Sequence, residues 1–394
     1  MTELATDLPE GPDRVSPPAT VGIIGGGPLA RMTHQAAIGL GIEVVVLTPD
    51  PGAPAVGAGA RHVRGRPDDL DDVLALARAC DVVTLDQEQV PASVLAALVD
   101  AGHAIAPEPG ALRLARDDAH ARRVLDSAGF AVPPFAVAAA GDHAALGRFA
   151  DAHGWPIVVK APRGGGGGRE VAVVEAEDLP ADLLRLPTSD GEWLLEASVP
   201  VAFELAVLVA QRPSGWWSAY PVVETVRRDG ISRELVLPAR ITPDLAERAT
   251  TLAVSVAQGS GASGILAVEL FVTFDGDLVI NGLSARPHHS GDATIEACRT
   301  SQFENHLRGI LDWPLGSTGL VTPASATVNL VGGEVEADLH RRLPAALEDP
   351  SVSVHLYGTT PSPGRELGHV TALASTPEEA LAAARGVTDR LLGR

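Results

Sequence analysis

A run of charged and imidazole side chains after a short apolar stretch, Leu278–Ile280, is where this chain could do chemistry. The side chains concerned are Arg286, His288, His289 and Asp292. Pro287 and Gly291 interrupt the run and exclude a regular helix, so we expect a loop that points several polar groups at one place. The alternative is a solvated connection after a strand. On the first interpretation, the rest of the chain must bring a nucleotide and a second substrate to this loop.

A second candidate feature is a lysine followed by a glycine loop. Ile157–Lys160 has a strand pattern that ends in the lysine, and Arg163 leads into consecutive glycines. The loop consists of Gly164, Gly165, Gly166, Gly167 and Gly168, followed by Arg169. Glycines let the backbone wrap closely around a ligand and expose N–H groups that suit phosphate oxygens. A flexible phosphate-covering loop is one interpretation, and the mobile tip of a hairpin completed by Val171–Val174 is the other.

One carboxylate, Glu269, interrupts the long apolar strand pattern Gly264–Val272. A buried carboxylate is unfavourable unless it meets a metal ion or a cation. We therefore predict that Glu269 is a ligand.

The elements that position these residues begin with a βαβ pattern. Val21–Ile24 and Glu43–Leu47 are predicted strands on either side of a predicted helix, Leu29–Leu40. Between them, Gly25-x-Gly27-x-x-Ala30 matches the dinucleotide-binding fingerprint. The same glycine-rich turn also occurs in α/β domains that bind no dinucleotide, so both interpretations stay open. Further along, Ala111–Ala128 is predicted to be one helix that leads into a second domain.

The composition limits the class of protein. A length of 394 residues suggests two or three domains, and the formal charge of -20 argues against a surface for nucleic acid or anionic membrane. Cys80 and Cys298 lack the spacing of a disulfide framework or a zinc site, so a cytoplasmic location is expected. Residues 1–18 are acidic and proline-rich, unlike a signal peptide, and are predicted to be a disordered tail.

Several motifs in combination resemble those of one enzyme family. They are Gly25-Gly26-Gly27-x-Leu29-x-Arg31-Met32, Val158-Val159-Lys160 with the glycine loop, Glu196-x-x-Val199 with Glu204, Tyr220-Pro221-Val222-Val223-Glu224, Val268-Glu269-Leu270-Phe271, Arg286-Pro287-His288-x-Ser290-Gly291, Thr300-Ser301-Gln302-Phe303-Glu304, Pro314-Leu315-Gly316 and His355-Leu356-Tyr357-Gly358. On this basis the chain is similar to ATP-grasp enzymes, specifically the 5-(carboxyamino)imidazole ribonucleotide synthases of purine biosynthesis.

This resemblance implies a fold, a reaction and partners. The fold would be an α/β N-terminal parallel-sheet domain over 19–110, an α+β ATP-grasp core over 111–320 and a small C-terminal β-rich domain over 321–394. The core would include a linker helix at 111–130 and the glycine loop at 163–169. The reaction would be carboxylation of aminoimidazole ribonucleotide, or a related amine, by bicarbonate and ATP through carboxyphosphate, with Mg²⁺ held by acidic ligands. A homodimer is expected, with no nucleic-acid or membrane partner.

The resemblance also implies roles for individual residues. ATP would be contacted by Lys160, the five glycines, Arg169, Glu196, Val199, Glu204 and Asn281. Of these, Glu196 and Val199 would meet the adenine, and Glu204 the ribose. The metal ion would be held by Glu269 and Asn281. The implied catalytic residues are Arg286, His288 and His289, of which the first two would bind bicarbonate or the acyl phosphate. Those implied for the second substrate are Leu29, Arg31, Glu88 and Arg365.

Some positions depart from the family pattern. Gly282 stands where a metal-bridging carboxylate is expected, and Asp118 where an ATP-contacting lysine is expected. The remaining departures are Gly166 and Gly167 for a tyrosine and an aspartate, Thr359 and Glu366 for phosphate-binding lysines, His289 for asparagine and Asp292 for histidine. Three interpretations follow: a divergent synthase, a related ligase with another acceptor, or a non-catalytic paralogue that binds a nucleotide or a partner.

Overall fold

The computed structural model describes residues 15–87, 89–162, 171–175, 191–228, 231–333 and 338–393. Glu88, the predicted glycine loop and residues 1–14 of the predicted tail lie outside these ranges. The end of that tail packs against the protein, because the carbonyl of Val15 accepts a hydrogen bond from the indole N–H of Trp313 at 2.7 Å. None of the described helices is long and apolar enough to cross a membrane.

The N-terminal part is a parallel sheet with helices, as the βαβ pattern predicts. Its elements are β1 (Thr20–Ile24), α1 (Pro28–Leu40), β2 (Glu43–Thr48), α2 (Pro54–Gly57), β3 (Arg61–Arg64), α3 (Leu70–Ala77), β4 (Val82–Leu85) and α4 (Ala92–Asp100). The described strands lie in the order β3-β2-β1-β4, and each pair is parallel. Apolar side chains on both faces are buried, which explains why the strands are continuous apolar runs.

The predicted single helix over 111–128 is two helices, α5 (Pro109–Arg116) and α6 (Asp118–Ser127). Asp117 separates them with an extended backbone (φ -114°, ψ 91°). Its carboxylate accepts a hydrogen bond from the backbone N–H of His120 at 2.9 Å and so caps α6. The prediction of one helix was wrong because an aspartate cap within an apolar periodic stretch can start a new helix.

A small antiparallel sheet follows. It contains β5 (Phe135–Ala139), β6 (Ile157–Lys160), β7 (Val171–Val174) and β8 (Glu192–Ala197), with α7 (His143–His153) packed against it. In the part of the chain that is described, the strand order is β5-β8-β6-β7. The predicted pairing of β6 with β7 is confirmed, and Lys160 lies opposite Val171.

A larger sheet extends through the rest of the chain. Its strands are β9 (Val201–Gln211), β10 (Trp217–Ala219), β11 (Val223–Arg228), β12 (Ile231–Leu237), β13 (Gly264–Thr273), β14 (Leu278–Ser284), β15 (Ala324–Val331), β16 (Val352–Leu356) and β17 (Glu366–Ala374). The described strands follow the order β14-β13-β9-β11-β12-β15-β17-β16, with β10 beside β9. The predicted end of a strand at Ile280 was too early, because β14 continues to Ser284.

Helices and one short turn complete this part of the fold. They are α8 (Pro243–Ser260), a 3₁₀ turn at His289–Gly291, α9 (Thr294–Ala297), α10 (Gln302–Ile310), α11 (Leu339–Ala346) and α12 (Pro377–Leu392). The implied fold class is confirmed: a parallel N-terminal sheet, a core of antiparallel sheets and a β-rich C-terminal region. Because β15 pairs with β12, the C-terminal strands extend the core sheet.

Candidate active site

A buried carboxylate, Glu196 of β8, joins two cations from different elements. It accepts a hydrogen bond from Nε of Arg122 (α6) at 2.5 Å and lies 2.7 Å from Nζ of Lys160 (β6). Arg122 also donates from Nη2 to the backbone carbonyl of Asn281 on β14 at 2.6 Å. The network therefore ties the small sheet to the strand that precedes the Arg286 loop.

The charges in this network are mutually stabilised. Burial opposes the charged form of Glu196, but the attraction of Lys160 and Arg122 outweighs it and lowers the pKa of the carboxyl group. Glu196 is therefore ionised at neutral pH. Its predicted contact with adenine, and that of Val199 in the connection between β8 and β9, stay predictions, as do the phosphate contacts of Lys160.

A second ion cluster lies on the larger sheet. Nε of Arg227 (β11) donates to Oε2 of Glu204 (β9) at 2.8 Å, and Nη2 donates to Oε1 of Glu269 (β13). The cation that the sequence requires near Glu269 is thus present as a side chain. Burial opposes the charged form of Glu269, yet the attraction of Arg227 and other nearby cations lowers its pKa. At Glu204, the effect of burial outweighs the attraction of Arg227 and raises the pKa of the carboxyl group. We therefore regard Glu269 as the main partner of Arg227.

A β-bulge places Asn281 and Gly282 beside this cluster. Glu269 pairs with Gly282 whereas Leu270 pairs with Ile280, so Asn281 is the extra residue of β14. Bulges of this kind often occur next to active sites, where they redirect a side chain. A Cβ atom on Gly282 would lie 3.1 Å from Oε2 of Glu269. A longer side chain at position 282 would therefore lie directly beside the carboxylate of Glu269. Because this residue is glycine, position 282 adds no second carboxylate next to Glu269.

The residues present fit a magnesium ion bound mainly by ligands other than protein. Mg²⁺ often takes one or two carboxylates and completes its octahedron with water and phosphate oxygens. Glu269 can supply one carboxylate, and Asn281 is its neighbour across the strand pair. Within the described ranges, no group of three or more histidine, cysteine, aspartate or glutamate residues could hold a metal ion by itself. Metal binding by Glu269 and Asn281 stays a prediction.

The glycine turn before α1 holds a carboxylate. Oδ2 of Asp86, just after β4, accepts a hydrogen bond from the N–H of Gly27 at 2.6 Å. Gly25 has φ +121°, and a Cβ there would lie 1.5 Å from Oδ1 of Asp86, so only glycine allows this approach. This contact explains the glycines of the dinucleotide-binding fingerprint. The carboxylate of Asp86 already occupies the N-terminus of α1, where a pyrophosphate would bind.

Asp86 also lies within electrostatic reach of the predicted catalytic loop. Burial raises the pKa of Asp86 to about 6, while the Gly27 N–H and the positive charge of Arg286 act in the opposite direction. Arg286 itself donates from Nη1 to the carbonyl of Pro287 at 3.0 Å. The loop thus brings a guanidinium near a carboxyl group that titrates close to neutral pH.

His288 is held rigidly and is uncharged at neutral pH. Its backbone N–H donates to Oε1 of Gln302 at 2.9 Å, and its carbonyl accepts from Nε2 of the same residue at 2.6 Å. Its Nδ1 lies 2.8 Å from Oγ of Ser290. Burial lowers the pKa of His288 to about 4 despite the attraction of Glu269. The side chain can therefore form hydrogen bonds at the site without adding charge.

His289 has the opposite character. Nδ1 lies 3.0 Å from Oδ2 of Asp292, and Nε2 lies 3.3 Å from Oε2 of Glu366 on β17. Burial opposes the charged form, but the two carboxylates outweigh it and raise the pKa of His289 to about 9. Burial also raises the pKa of Asp292, against the attraction of His289. Because the imidazole has a carboxylate on each side, we regard His289 as the charged partner at neutral pH.

A variant at His289 should reveal this charge in the pH dependence of stability. The pKa of about 9 lies above the ordinary 6.5, so the stabilisation is complete below pH 6.5 and is lost as the pH rises through about 9. His289→Asn should therefore lower the free energy of unfolding by about 2 kcal/mol near pH 6, by progressively less as the pH rises from 6.5, and by almost nothing above about pH 9. Denaturant unfolding across this range measures the difference. His340→Asn, at an exposed position of α11, is the control, and a pH-independent loss at His289 would contradict the assignment.

The implied substrate residues are only partly brought together. Leu29 packs with Phe303 and Tyr357. The Tyr357 hydroxyl donates to Asp292 at 3.4 Å, so Leu29 lies close to the ion pair of His289 and Asp292. Arg31 donates from Nη1 to the carbonyl of Pro54 at 3.5 Å. Three further positions lie as follows: Arg365 is exposed, Thr359 donates to the carbonyl of Glu366 at 2.9 Å, and the backbone N–H of Asp118 donates to Pro162 at 2.9 Å. Substrate contacts of Leu29, Arg31 and Arg365 stay predictions.

Sequence reasoning missed three residues of this site: Arg122, Arg227 and Asp86. A signal existed for Arg122, because it lies three residues from both Ala119 and Leu125 on the buried face of α6. An arginine on such a face needs a buried partner.

Comparisons with known proteins agree with this geometry. Family models match a ribonucleotide synthetase preATP-grasp domain over 18–116, an ATP-grasp domain over 123–303 and a phosphoribosylaminoimidazole carboxylase C-terminal domain over 325–383. The chain is 42% identical over 363 residues to the N5-carboxyaminoimidazole ribonucleotide synthase of Mycobacterium tuberculosis, covering 90% of this chain and 83% of the relative. Identity to the synthase of Synechococcus elongatus is 38% over 365 residues, covering 91% and 90%.

A solved structure from Aspergillus clavatus is similar over almost the whole chain. It is an N5-carboxyaminoimidazole synthase in complex with ADP and 5-aminoimidazole ribonucleotide. The TM-score is 0.87 at 31% identity, and the match covers 95% of this chain and 98% of the other. On the three domain matches and the 42% identity, the chain belongs to the N5-carboxyaminoimidazole ribonucleotide synthase family of ATP-grasp proteins.

Proposed function

We propose that this chain carboxylates the amine of 5-aminoimidazole ribonucleotide with bicarbonate, at the expense of ATP and through carboxyphosphate. One observation carries the proposal: the Lys160–Glu196–Arg122 network converges on Asn281, a few residues before Arg286 and His288. A predicted phosphate ligand and a predicted anion-binding loop are thus linked. The names of the relatives, and the ligands in the Aspergillus structure, support the same substrates.

The first half-reaction transfers a phosphoryl group to bicarbonate. A bicarbonate oxygen attacks the γ-phosphorus of ATP, the bond to the bridging oxygen breaks, and ADP leaves. Lys160 and Arg286 supply positive charge to the transferring group, and neutral His288 orients bicarbonate by hydrogen bonding. A magnesium ion held by Glu269 and Asn281 would neutralise the triphosphate.

The second half-reaction forms the carbon–nitrogen bond. The amine nitrogen attacks the carboxyl carbon of carboxyphosphate, inorganic phosphate leaves, and the nitrogen loses a proton. Asp86 would accept this proton, because it lies just after β4 within electrostatic reach of Arg286 and its pKa of about 6 suits a general base near neutral pH. Arg286 would hold the acyl phosphate beside Asp86.

An assay with all substrates tests the proposal. ADP release and incorporation of labelled bicarbonate are expected only when ATP, magnesium, bicarbonate and 5-aminoimidazole ribonucleotide are all present. A family synthase serves as the positive control. If that control turns over and this chain releases no ADP above the acceptor-free background, the proposal fails.

A different acceptor is the second candidate function. Glu366 places a carboxylate against His289, and the Thr359 hydroxyl bonds to the Glu366 carbonyl, at positions where the family resemblance implies phosphate-binding lysines. These contacts favour an acceptor that carries no phosphate group beside Thr359 and Glu366. The matched test compares 5-aminoimidazole ribonucleotide with its dephosphorylated ribonucleoside. A higher kcat/KM for the ribonucleoside would select the second candidate.

The location and assembly that go with this function are also proposals. We propose a cytoplasmic enzyme that forms a homodimer, as the family resemblance implies. Sedimentation velocity of the purified chain over a range of concentrations tests the dimer.

A further inference from the structure

One helix, α10, contacts parts of the site that lie on separate elements of the chain. Two of its polar residues, Gln302 and His306, are four positions apart, so their side chains lie on the same face of the helix. They are separated by about 6 Å along its axis. Both side chains are fully buried. The groups that they contact are therefore kept at a fixed spacing by the helix.

Gln302 holds the loop that begins at His288. Its side-chain amide accepts a hydrogen bond from the His288 N–H at 2.9 Å and donates one to the His288 carbonyl at 2.6 Å. Its backbone N–H donates to Oγ1 of Thr294 at 2.9 Å, and the Thr294 hydroxyl donates to the carbonyl of Gly291 at 2.6 Å. Both ends of the segment 288–291 are thus attached to the first turn of α10.

His306 connects two strands from different sheets. The backbone N–H of Ile265 on β13 donates to Nδ1 of His306 at 3.2 Å, so this nitrogen carries no proton. The proton is therefore on Nε2, which donates to Oγ1 of Thr84 on β4 at 3.0 Å. Gly264 permits this approach, because its φ is +84° and a Cβ atom there would lie 2.5 Å from Nδ1. Burial lowers the pKa of His306 to about 3, so the neutral imidazole keeps both bonds.

Thr84 lies two positions before Asp86, the general base of the proposed reaction. The backbone N–H of Asp86 donates to the carbonyl of Ile24 at 3.3 Å, so Asp86 continues the path of β4 beside β1. A shift of β4 at Thr84 would therefore move Asp86 with it. Through His306, α10 determines where this end of the parallel sheet lies relative to the core.

We propose that Gln302 and His306 are positioning residues that set the distance between the bicarbonate-binding His288 and the general base Asp86. Gln302 fixes the main chain of His288, and His306 fixes the strand that leads to Asp86. A few tenths of an ångström between reacting groups matter for a proton transfer and for the attack that precedes it. This inference rests on the proposed function, which assigns the roles of His288 and Asp86.

The two positioning residues should affect different half-reactions. Gln302→Met removes both hydrogen bonds to His288, so the KM for bicarbonate should rise about tenfold. The amount of carboxylated product formed per ADP should stay close to that of the wild-type protein. Initial rates at varied bicarbonate, with ADP and labelled product measured in the same reaction, give both quantities.

Thr84→Val should affect the second half-reaction instead. It leaves the Nε2 proton of His306 without its acceptor and frees the strand that leads to Asp86. Carboxyphosphate should still form, but water should hydrolyse more of it to bicarbonate and phosphate before the amine reacts. The product formed per ADP should therefore fall about tenfold, and the KM for bicarbonate should change little.

Further variants separate positioning from a general loss of structure. Thr84→Ser keeps the hydroxyl and should restore the wild-type ratio of product to ADP. His306→Asn keeps an acceptor for the N–H of Ile265 but is too short to reach Thr84, so it should reproduce the loss seen in Thr84→Val. The double variant should be no worse than either, because both break the same bond. Thr33→Val, which removes a buried hydroxyl from α1, is the matched control and should keep the wild-type ratio.

The outcomes separate this inference from the proposed function. Partial unfolding of a variant lowers ADP and product together and changes neither their ratio nor the KM. A Thr84→Val protein with the wild-type ratio, or a Gln302→Met protein with the wild-type KM for bicarbonate, would therefore overturn the positioning role while the wild-type protein still carboxylates its acceptor. A wild-type protein that releases no ADP with all substrates present would overturn the proposed function and this inference with it.

Discussion

Replacement of Glu196 by glutamine should lower the free energy of unfolding by about 3–5 kcal/mol. The side chain of Glu196 is 4% exposed and lies between Arg122, which is 1% exposed, and Lys160. Removal of its charge leaves two neighbouring cations without their carboxylate in a region shielded from water. Denaturant unfolding of the purified variant measures the loss, and nucleotide affinity should fall with it because Lys160 loses its anchor.

The double variant Glu196→Gln with Arg122→Met should recover part of this stability, since one of the two uncompensated cations is then removed. Glu192→Gln, on the same strand, is the control and should change stability by less than about 0.5 kcal/mol. The lowered pKa of Glu196 means that its contribution is present above the ordinary value of 4.5 and is lost as the pH falls below it. A deficit that stayed constant into acid would argue against an ionic origin.

Arg286→Met should reduce kcat about 10²–10³-fold, because a fixed cation next to the reacting anion acts mainly in the transition state. ADP affinity should change little, since none of the predicted nucleotide ligands lies in the loop that carries Arg286. Single-turnover carboxylation together with ADP titration separates the two effects. Arg299→Met, an exposed arginine shortly after the same loop, is the matched control and should retain wild-type kcat.

The pH profile of the Arg286→Met variant gives a second readout. Arg286 acts to lower the pKa of Asp86, which burial raises to about 6. Without the guanidinium the pKa of Asp86 should rise further, so the acidic limb of the kcat/KM profile should move to higher pH. An unchanged acidic limb would mean that Asp86 is not the base or that Arg286 does not reach it.

Local patterns in the sequence predicted most of the elements, and the family resemblance predicted their arrangement. The first strands, the first helix and the pairing of β6 with β7 follow from apolar periodicity and glycine positions. The boundary at Asp117 and the extension of β14 through Asn281 and Gly282 could not be predicted in this way. Both depend on the tertiary environment, an N-cap in one case and a bulge in a paired strand in the other.

The ionic partners at the site were harder to predict than the ligand positions. Glu269 was recognisable as a carboxylate that needs a cation, but nothing local identifies Arg227, 42 positions earlier, as that cation. Arg122 and Glu196 are 74 positions apart, and Arg122 and Asn281 are 159 apart. Charge pairs over such separations are determined by strand order and helix docking, which a pattern within one segment does not contain.

The pairing of β12 with β15 has a consequence for the modularity of this protein. Truncation before β15 would expose the backbone N–H and C=O groups of Glu234–Leu237, together with the buried Leu235 and Leu237, at a new sheet edge. Unprotected edges of this kind recruit strands from other chains and promote aggregation. The C-terminal segment is therefore a structural complement of the ATP-grasp sheet, so exchange between homologues should keep the two parts from the same parent.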